Sequence, residues 1–315
     1  MSVDRPIARA LLVAMDDVCA AGRSSARSEA LLAVSAASLD LTLEEARRDR
    51  TSIEDAVVSP DARRALVDAL VIAACIETEV DAPKERVVTT YASRLGVRSP
   101  WVALLPALRR RSVLTIQRAL VSRSPDGRRV FSRLWSERGV GGLLEAASFV
   151  AGLHRDPPLA ARFRALSSLP NGTLGKAFFD HLDQRGLTFP GEKGGLPERM
   201  IHHDLMHVVN GYGTDPAGEC EIAGFYGGHA SKMGEPQWFT FFVTALATFH
   251  LDLPVSPSIV TPARGAFDPA RVMPAFLRGR RVTTDVMGAW DYWSLLPQTL
   301  EESRARLGIA AEEHA

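Results

Sequence analysis

The sequence predicts an all-α fold: a helical domain over residues 1–120, then a larger helical domain over 121–315. Three observations lead there. Apolar residues recur three and four positions apart along most of the chain, the period of an amphipathic helix. No segment alternates with period two, and runs of Val, Ile and Thr are few, which disfavours an all-β or doubly wound fold. The breaks between periodic stretches carry helix start and stop signals.

Leu11, Leu12, Met15, Val18 and Cys19 form the first apolar stripe, and Ala30 to Leu39 the second. Thr42 and Glu45 have capping-box spacing, so a helix starts there. Asp61 to Ile76 places Leu66, Ala69, Leu70, Ala73 and Ala74 on one side. Pro83 sits where a first helical turn accepts it, and Gly96 ends the helix that runs from Glu85 to Leu95. After the turn cluster Ser124-Pro-Asp-Gly127, helices are expected at Arg128–Ser136, Gly141–Leu153, Pro158–Leu166 and Thr173–Arg185. Phe189 to Gly195 reads as a loop. Helices then follow at Pro197–Asn210, Pro216–Gly228, Gln237–Leu251, Pro269–Arg278 and Trp290–Leu307, with an irregular segment from Leu253 to Phe267.

Composition narrows the function classes. The formal net charge is zero over 315 residues, which argues against a dedicated nucleic-acid binder, since neutralising phosphates takes a basic excess. Cys19, Cys75 and Cys220 are odd in number and widely spaced, so they build neither a disulfide framework nor a zinc knuckle. A reducing, cytoplasmic compartment is expected, with attachment to the inner membrane face as the alternative. Asp16-Asp17 cuts the first apolar run too early for a secretory leader. The most apolar later run, Trp238 to Leu251, is shorter than the ~20 residues that span a bilayer, so no transmembrane segment is expected. No P-loop, dinucleotide fingerprint or nucleophile elbow occurs in its required context.

The chemistry concentrates in Ile201-His-His-Asp-Leu-Met-His207. His203 and His207 are four apart and share a helix face, the spacing by which two imidazoles reach one metal ion. Asp204 lies at the edge of that face. It is placed either to coordinate or to orient a ligand's second nitrogen. The chain then turns at Gly211 to Pro216, where Asp215 is a natural N-cap and Pro216 a natural first helical residue. Glu219 falls one turn into the new helix and can face the histidines. Two imidazoles with one or two carboxylates suit zinc, iron(II) or manganese, and leave coordination positions open. The competing reading of the histidine pair is packing. His202 points about 100° away from His203 and is expected to be a neighbour only.

His203-Asp204-x-x-His207, eleven residues and Glu219 together resemble the ligand pattern of the coenzyme Q (ubiquinone) biosynthesis protein 4 family. Leu169-Pro-Asn-Gly-Thr-Leu-Gly175 is similar to that family's Leu-Pro-x-Gly-Thr-x-Gly segment. Gly218-Glu219, Phe276-Leu-Arg-Gly279, Trp290 and Leu307-Gly-Ile309 are similar to its other markers, so the likeness covers residues 128–309. The resemblance implies an all-α fold and a divalent metal, usually zinc, on His203, Asp204, His207 and Glu219 as metal and catalytic residues. It also implies a role in ubiquinone biosynthesis. That role includes replacing the ring C1 carboxyl by hydroxyl, a lyase or oxidative-decarboxylase type of activity, and binding prenylated quinone precursors or other isoprenoid lipid beside partner enzymes. The N-terminal 120 residues and the Gly-rich Phe225 to His229 stretch depart from the family pattern. Ala65 to Gly96, with its acidic turn Glu77-x-Glu79-x-Asp81 and Glu85, loosely resembles the TerB-like helical domain, where such acids are associated with metal. The preferred reading of these acids is a solvated turn at a helix start.

Three functional readings follow: an enzyme using the metal on a prenylated ring, a lipid-binding scaffold with a structural metal, and a metal-dependent phosphohydrolase. The scaffold would hold a prenyl tail along Trp238, Phe239, Phe241, Phe242, Leu246 and Phe249, residues that as an apolar stripe read more simply as core. The phosphohydrolase would need further ligands, for which His154, His181 and Asp252 are available. Arg109 to Arg111 and Arg278 to Arg281 are read as solvated helix faces, with anionic lipid contact as the alternative.

Overall fold

The computed structural model describes residues 4–48, 52–123, 155–195, 201–234, 237–255, 262–287 and 290–309. The fold is all-α. Among the described residues there is no strand, only the isolated bridges Thr173–Thr299 and Leu251–Arg264. The chain forms two compact units: Met1–Arg123 with Phe239–Pro274, and Ser124–Trp238 with Ala275–Ala315. The segment 239–274, which the sequence reading grouped with the second domain, therefore packs with the first. The helices expected at 128–136 and 141–153 lie outside the described residues.

In the first unit, α1 (Arg5–Ala20) packs against α2 (Ala26–Ser38), α3 (Leu43–Arg48), α4 (Ile53–Ala56), α5 (Pro60–Cys75) and α6 (Ala82–Arg94). Its stripe explains this, because Leu12, Met15, Val18 and Cys19 are all buried. The capping box opening α3 is present: the Glu45 amide donates to Thr42 Oγ1 and the Thr42 amide to Glu45 Oε2. Ser59 and Asp81 cap α5 and α6, each with proline in the first turn. Gly96 ends α6 with φ +65°.

The acidic turn is consumed by structure. Glu77 accepts from the Ser25 amide and from the hydroxyls of Ser25 and Ser28. Glu79 pairs with Arg23 and Arg264, Asp81 accepts from the Arg23 and Lys84 amides, and Glu85 pairs with Arg109.

The remaining helices of this unit are α7 (Leu105–Arg109), α8 (Val113–Arg123) and α13 (Thr240–Ala245). The apolar run expected to be one helix changes register after α13 into a single π turn, Leu246–His250, closed by the Leu251 amide on the Leu246 carbonyl at 2.8 Å. His250 at its end is wholly buried. Its Nε2 meets the Ile76 carbonyl at 2.8 Å and its Nδ1 accepts the Phe267 amide at 3.2 Å. Phe239, Phe242, Leu246 and Phe249 are core residues, with Phe239 against Trp101 and Phe242. Arg111 donates to the carbonyls of Leu251 and Asp252, so it ties backbone within the unit rather than forming part of a free basic face.

The second unit contains α9 (Pro157–Ala165), α10 (Leu174–Gln184), α11 (Ile201–Asn210), α12 (Pro216–Lys232) and α15 (Leu300–Leu307), with part of α14 (Pro269–Arg281). Helix α10 packs on α11 and α15, and α11 on α12 and α15. The last helix is shorter than the sequence reading of 290–307. Pro297 lacks a donor, and Thr299 then starts the helix through a complete capping box with Glu302. Helix α12 instead overruns its expected end at Gly228 and continues to Lys232. Its glycines serve close packing. A Cβ on Gly228 would overlap the Phe276 carbonyl of α14, and one on Gly279 the Phe225 carbonyl of α12, so the two backbones touch where side chains would hold them apart. Among the described residues no helix is long and apolar enough to cross a membrane.

Candidate metal centre

Helix α11 and helix α12 build the centre, and the turn between them is specified locally. The Gly211 and Tyr212 amides both donate to the His207 carbonyl, and Gly211 adopts φ +80°, which stops α11. Asp215 then caps α12, accepting the Gly218 amide at 2.9 Å, with Pro216 in the first turn. Gly218 is required because a Cβ there would run into the backbone of Gly213. The end of α11 is held by two guanidinium groups. Arg304 Nε donates to the Val209 carbonyl at 2.7 Å and Arg278 Nη1 to the Asn210 carbonyl at 3.3 Å. Cations at a helix C-terminus also complement its dipole. Arg278 is buried by this contact, unlike the solvated face expected of it.

Three of the four expected ligands meet. One donor atom each from His203, His207 and Glu219 lie within 4.8 Å of one another. The two Nε2 atoms are 3.1 Å apart, His207 Nε2 is 3.4 Å from Glu219 Oε1, and His203 Nε2 is 3.5 Å from Oε2. Metal–ligand bonds of about 2.1 Å place neighbouring donors roughly 3.0 Å apart at octahedral angles and roughly 3.4 Å apart at tetrahedral angles. The two imidazole nitrogens lie at that spacing and each faces its own oxygen of the Glu219 carboxylate, so the three side chains converge on one point where a divalent ion could be held. The side chain of His207 is 0% exposed, Glu219 19% and His203 43%, so one side of the trio is sealed and the His203 side is open.

The fourth expected residue, Asp204, is not in this cluster. It lies within electrostatic reach of all three members, and burial raises its pKa above the ordinary carboxylate value. Asp204 thus lies near the trio without being one of the three converging side chains. Burial also acts to raise Glu219, but hydrogen bonds from His203 and His207 and their charges outweigh it and bring Glu219 to about 2. Glu219 is thus ionised, the form that ligates.

Aromatic rings line the neighbourhood. The Tyr226 ring lies parallel to His203 at 6.1 Å. His202 faces Trp290 at 5.1 Å and Tyr292 edge-on at 5.4 Å, so it is a neighbour of the centre and not a member, as helix geometry predicts.

His181 is the residue that sequence reasoning undervalued. It was one of several unplaced candidates, because nothing in its own spacing links α10 to α11. The structure puts its ring over that of His207, 6.3 Å away with planes 29° apart. Burial, then the charge of Arg185, pushes its pKa down to about 4. Of the further residues named for a phosphohydrolase, Asp252 belongs to the first unit and His154 lies outside the described residues.

No protein-family model matches the chain, and no curated protein matches it.

Proposed function

We propose that this chain is a divalent-metal enzyme of ubiquinone or related prenylated quinone biosynthesis, acting at ring C1 to exchange a carboxyl group for a hydroxyl. The observation that carries the reading is the trio His203, His207 and Glu219, which brings two imidazole nitrogens and a carboxylate within 4.8 Å of one another with the His203 side exposed. The likeness of the surrounding motifs to the coenzyme Q biosynthesis protein 4 family supplies the substrate class.

Two histidines and one carboxylate with open positions form the donor set of non-haem iron(II) oxygenases, and catalytic zinc uses the same three donors. Exchange of carboxyl for hydroxyl releases carbon dioxide and consumes dioxygen, two protons and two electrons from an external reductant such as a reduced nicotinamide or ascorbate, with water as the second product. Zinc has no redox chemistry, so this exchange calls for iron(II) at the trio. Once bound, the metal would supply dioxygen activation. The chain's own residues do the rest. The imidazoles and Glu219 fix the ion on the sealed side, and Tyr226 offers a flat ring beside the open side. Phe239, Phe242, Leu246 and Phe249, part of the stripe that the scaffold reading assigns to a prenyl tail, are buried in the first unit.

Elemental analysis of purified protein, with His203→Ala and Glu219→Ala, tests the reading. One metal equivalent per chain is expected, lost in both variants, together with carbon dioxide release from a prenylated 4-hydroxybenzoate under air with ascorbate as reductant. Undiminished metal in both variants would sink it.

A further inference from the structure

His181 stands against the sealed side of the trio, and packing does not explain why it is a histidine. On the same helix Phe178 and Leu182 are buried apolar side chains, and the ring that faces His181 is that of His207. The His181 residue is 8% exposed, and its Nε2 has no hydrogen-bond partner among the described residues. A buried polar atom of this kind is rare in folded proteins and calls for a partner. The charged and ionisable groups acting on the ring are Arg185, His207 and Glu219, two of them members of the trio. His181 is not in the metal cluster itself, so it does not complete the donor set in this geometry.

We propose that His181 is a ligand-binding residue of this centre, its Nε2 hydrogen-bonding to an oxygen or nitrogen atom of a small anion bound to the metal on the buried, His207 side of the trio. The inference rests on the metal-centre reading above and adds to it a recognition element from a third helix. An imidazole held by α10 while the donors sit on α11 and α12 means that a ligand's polar atom is read from outside the α11–α12 pair. The group recognised is compact and polar, such as a carboxylate or an azide, because the ring nitrogen is buried. Its hydrogen bond competes with no protein partner among the described residues.

The test uses the full chain loaded with cobalt(II), whose visible bands report on coordination, and azide as the probe anion. Wild type is compared with His181→Phe, which fills the volume without a polar atom. It is also compared with His181→Gln, whose amide falls near the Nε2 position, and with His181→Asn, whose amide falls near Nδ1. Cobalt affinity should stay within about threefold of wild type in all three, as the residue is not a donor. Azide affinity should fall by about tenfold in His181→Phe and His181→Asn and recover to within about threefold in His181→Gln. A merely structural role would not separate Gln from Asn. Azide binding unchanged in the Phe and Asn variants would overturn the proposal. So would a tenfold loss of cobalt affinity in the Gln variant, which would make His181 a metal ligand. Failure of wild type to take up cobalt, or retention of cobalt by His203→Ala, would bring down the trio and this proposal with it. A negative azide result alone leaves the trio standing.

Discussion

Asp215 accepts the Gly218 amide on its side chain and the Glu219 amide on its carbonyl, both at 2.9 Å, and so starts the helix turn that carries Glu219 to His203 and His207. The cap and the ligand are neighbours in sequence, so the stability of α12 and the geometry of the centre are coupled. Asp215→Ala should cost about 1 kcal/mol in denaturant unfolding, the usual size for a lost N-cap. It should also weaken metal binding by several-fold, read by competition with a chromophoric chelator. Asp215→Ser, which keeps a capping oxygen, should restore most of both. Equal metal affinity in wild type and Asp215→Ala would show that Glu219 is positioned independently of the cap.

Metal binding should stabilise the fold by mass action. The donors come from two helices and converge only in the folded chain. With free metal at a hundredfold over its dissociation constant, the gain is about 2.7 kcal/mol, seen as a rise in the melting temperature. Chelator should reverse it, and His207→Ala should abolish it. A melting curve indifferent to metal in wild type would contradict the trio.

The glycine contact between α12 and α14 leaves no room for a methyl group. Gly228→Ala and Gly279→Ala each place a Cβ on a backbone carbonyl, of Phe276 and Phe225 respectively, rather than on a movable side-chain end. Each should destabilise the chain by about 1–3 kcal/mol or more, the range for overpacking a filled interior. Gly234→Ala is the contrasting control. It has open space around it, although its φ of +72° adds some backbone strain. If Gly228→Ala unfolds at the wild-type midpoint, the close approach of the two backbones is wrong.

His250 should make the first unit sensitive to acid. Burial and the charge of Arg27 hold its pKa at about 4 against an ordinary value of 6.5, despite the bond to the Ile76 carbonyl. The unfolded chain therefore takes up the proton first. The stabilisation is complete above pH 6.5 and is lost progressively as pH falls through the interval down to about 4. At most it amounts to roughly 3 kcal/mol. Asp68 acts in the opposite sense. Burial raises it to about 7, so its contribution is full below its ordinary value of 3.8 and declines as pH rises towards 7. Urea midpoints followed from pH 7 to pH 4 should fall less steeply in His250→Gln than in wild type. Parallel slopes would show that another group governs the acid limb.

Much of this protein is written locally. The helices α1, α2, α5, α6, α9 and α10 follow from apolar spacing and from caps such as Ser59, Asp81, Asp156 and Thr173, all signals confined to a few consecutive residues. The candidate metal-binding trio is legible for the same reason. His203 and His207 share a face by helical repeat, and Asp215 and Pro216 announce the helix that carries Glu219. Tertiary structure alone decided three things. It left Asp204 beside the cluster instead of within it, because whether a side chain at the edge of a helix face reaches a shared ion depends on the angle at which the partner helix arrives. It returned residues 239–274 to the first unit, because an apolar stripe records that a face is buried without recording against what. And it brought His181 to the centre from a helix 22 residues upstream of His203, a long-range contact that no local spacing encodes.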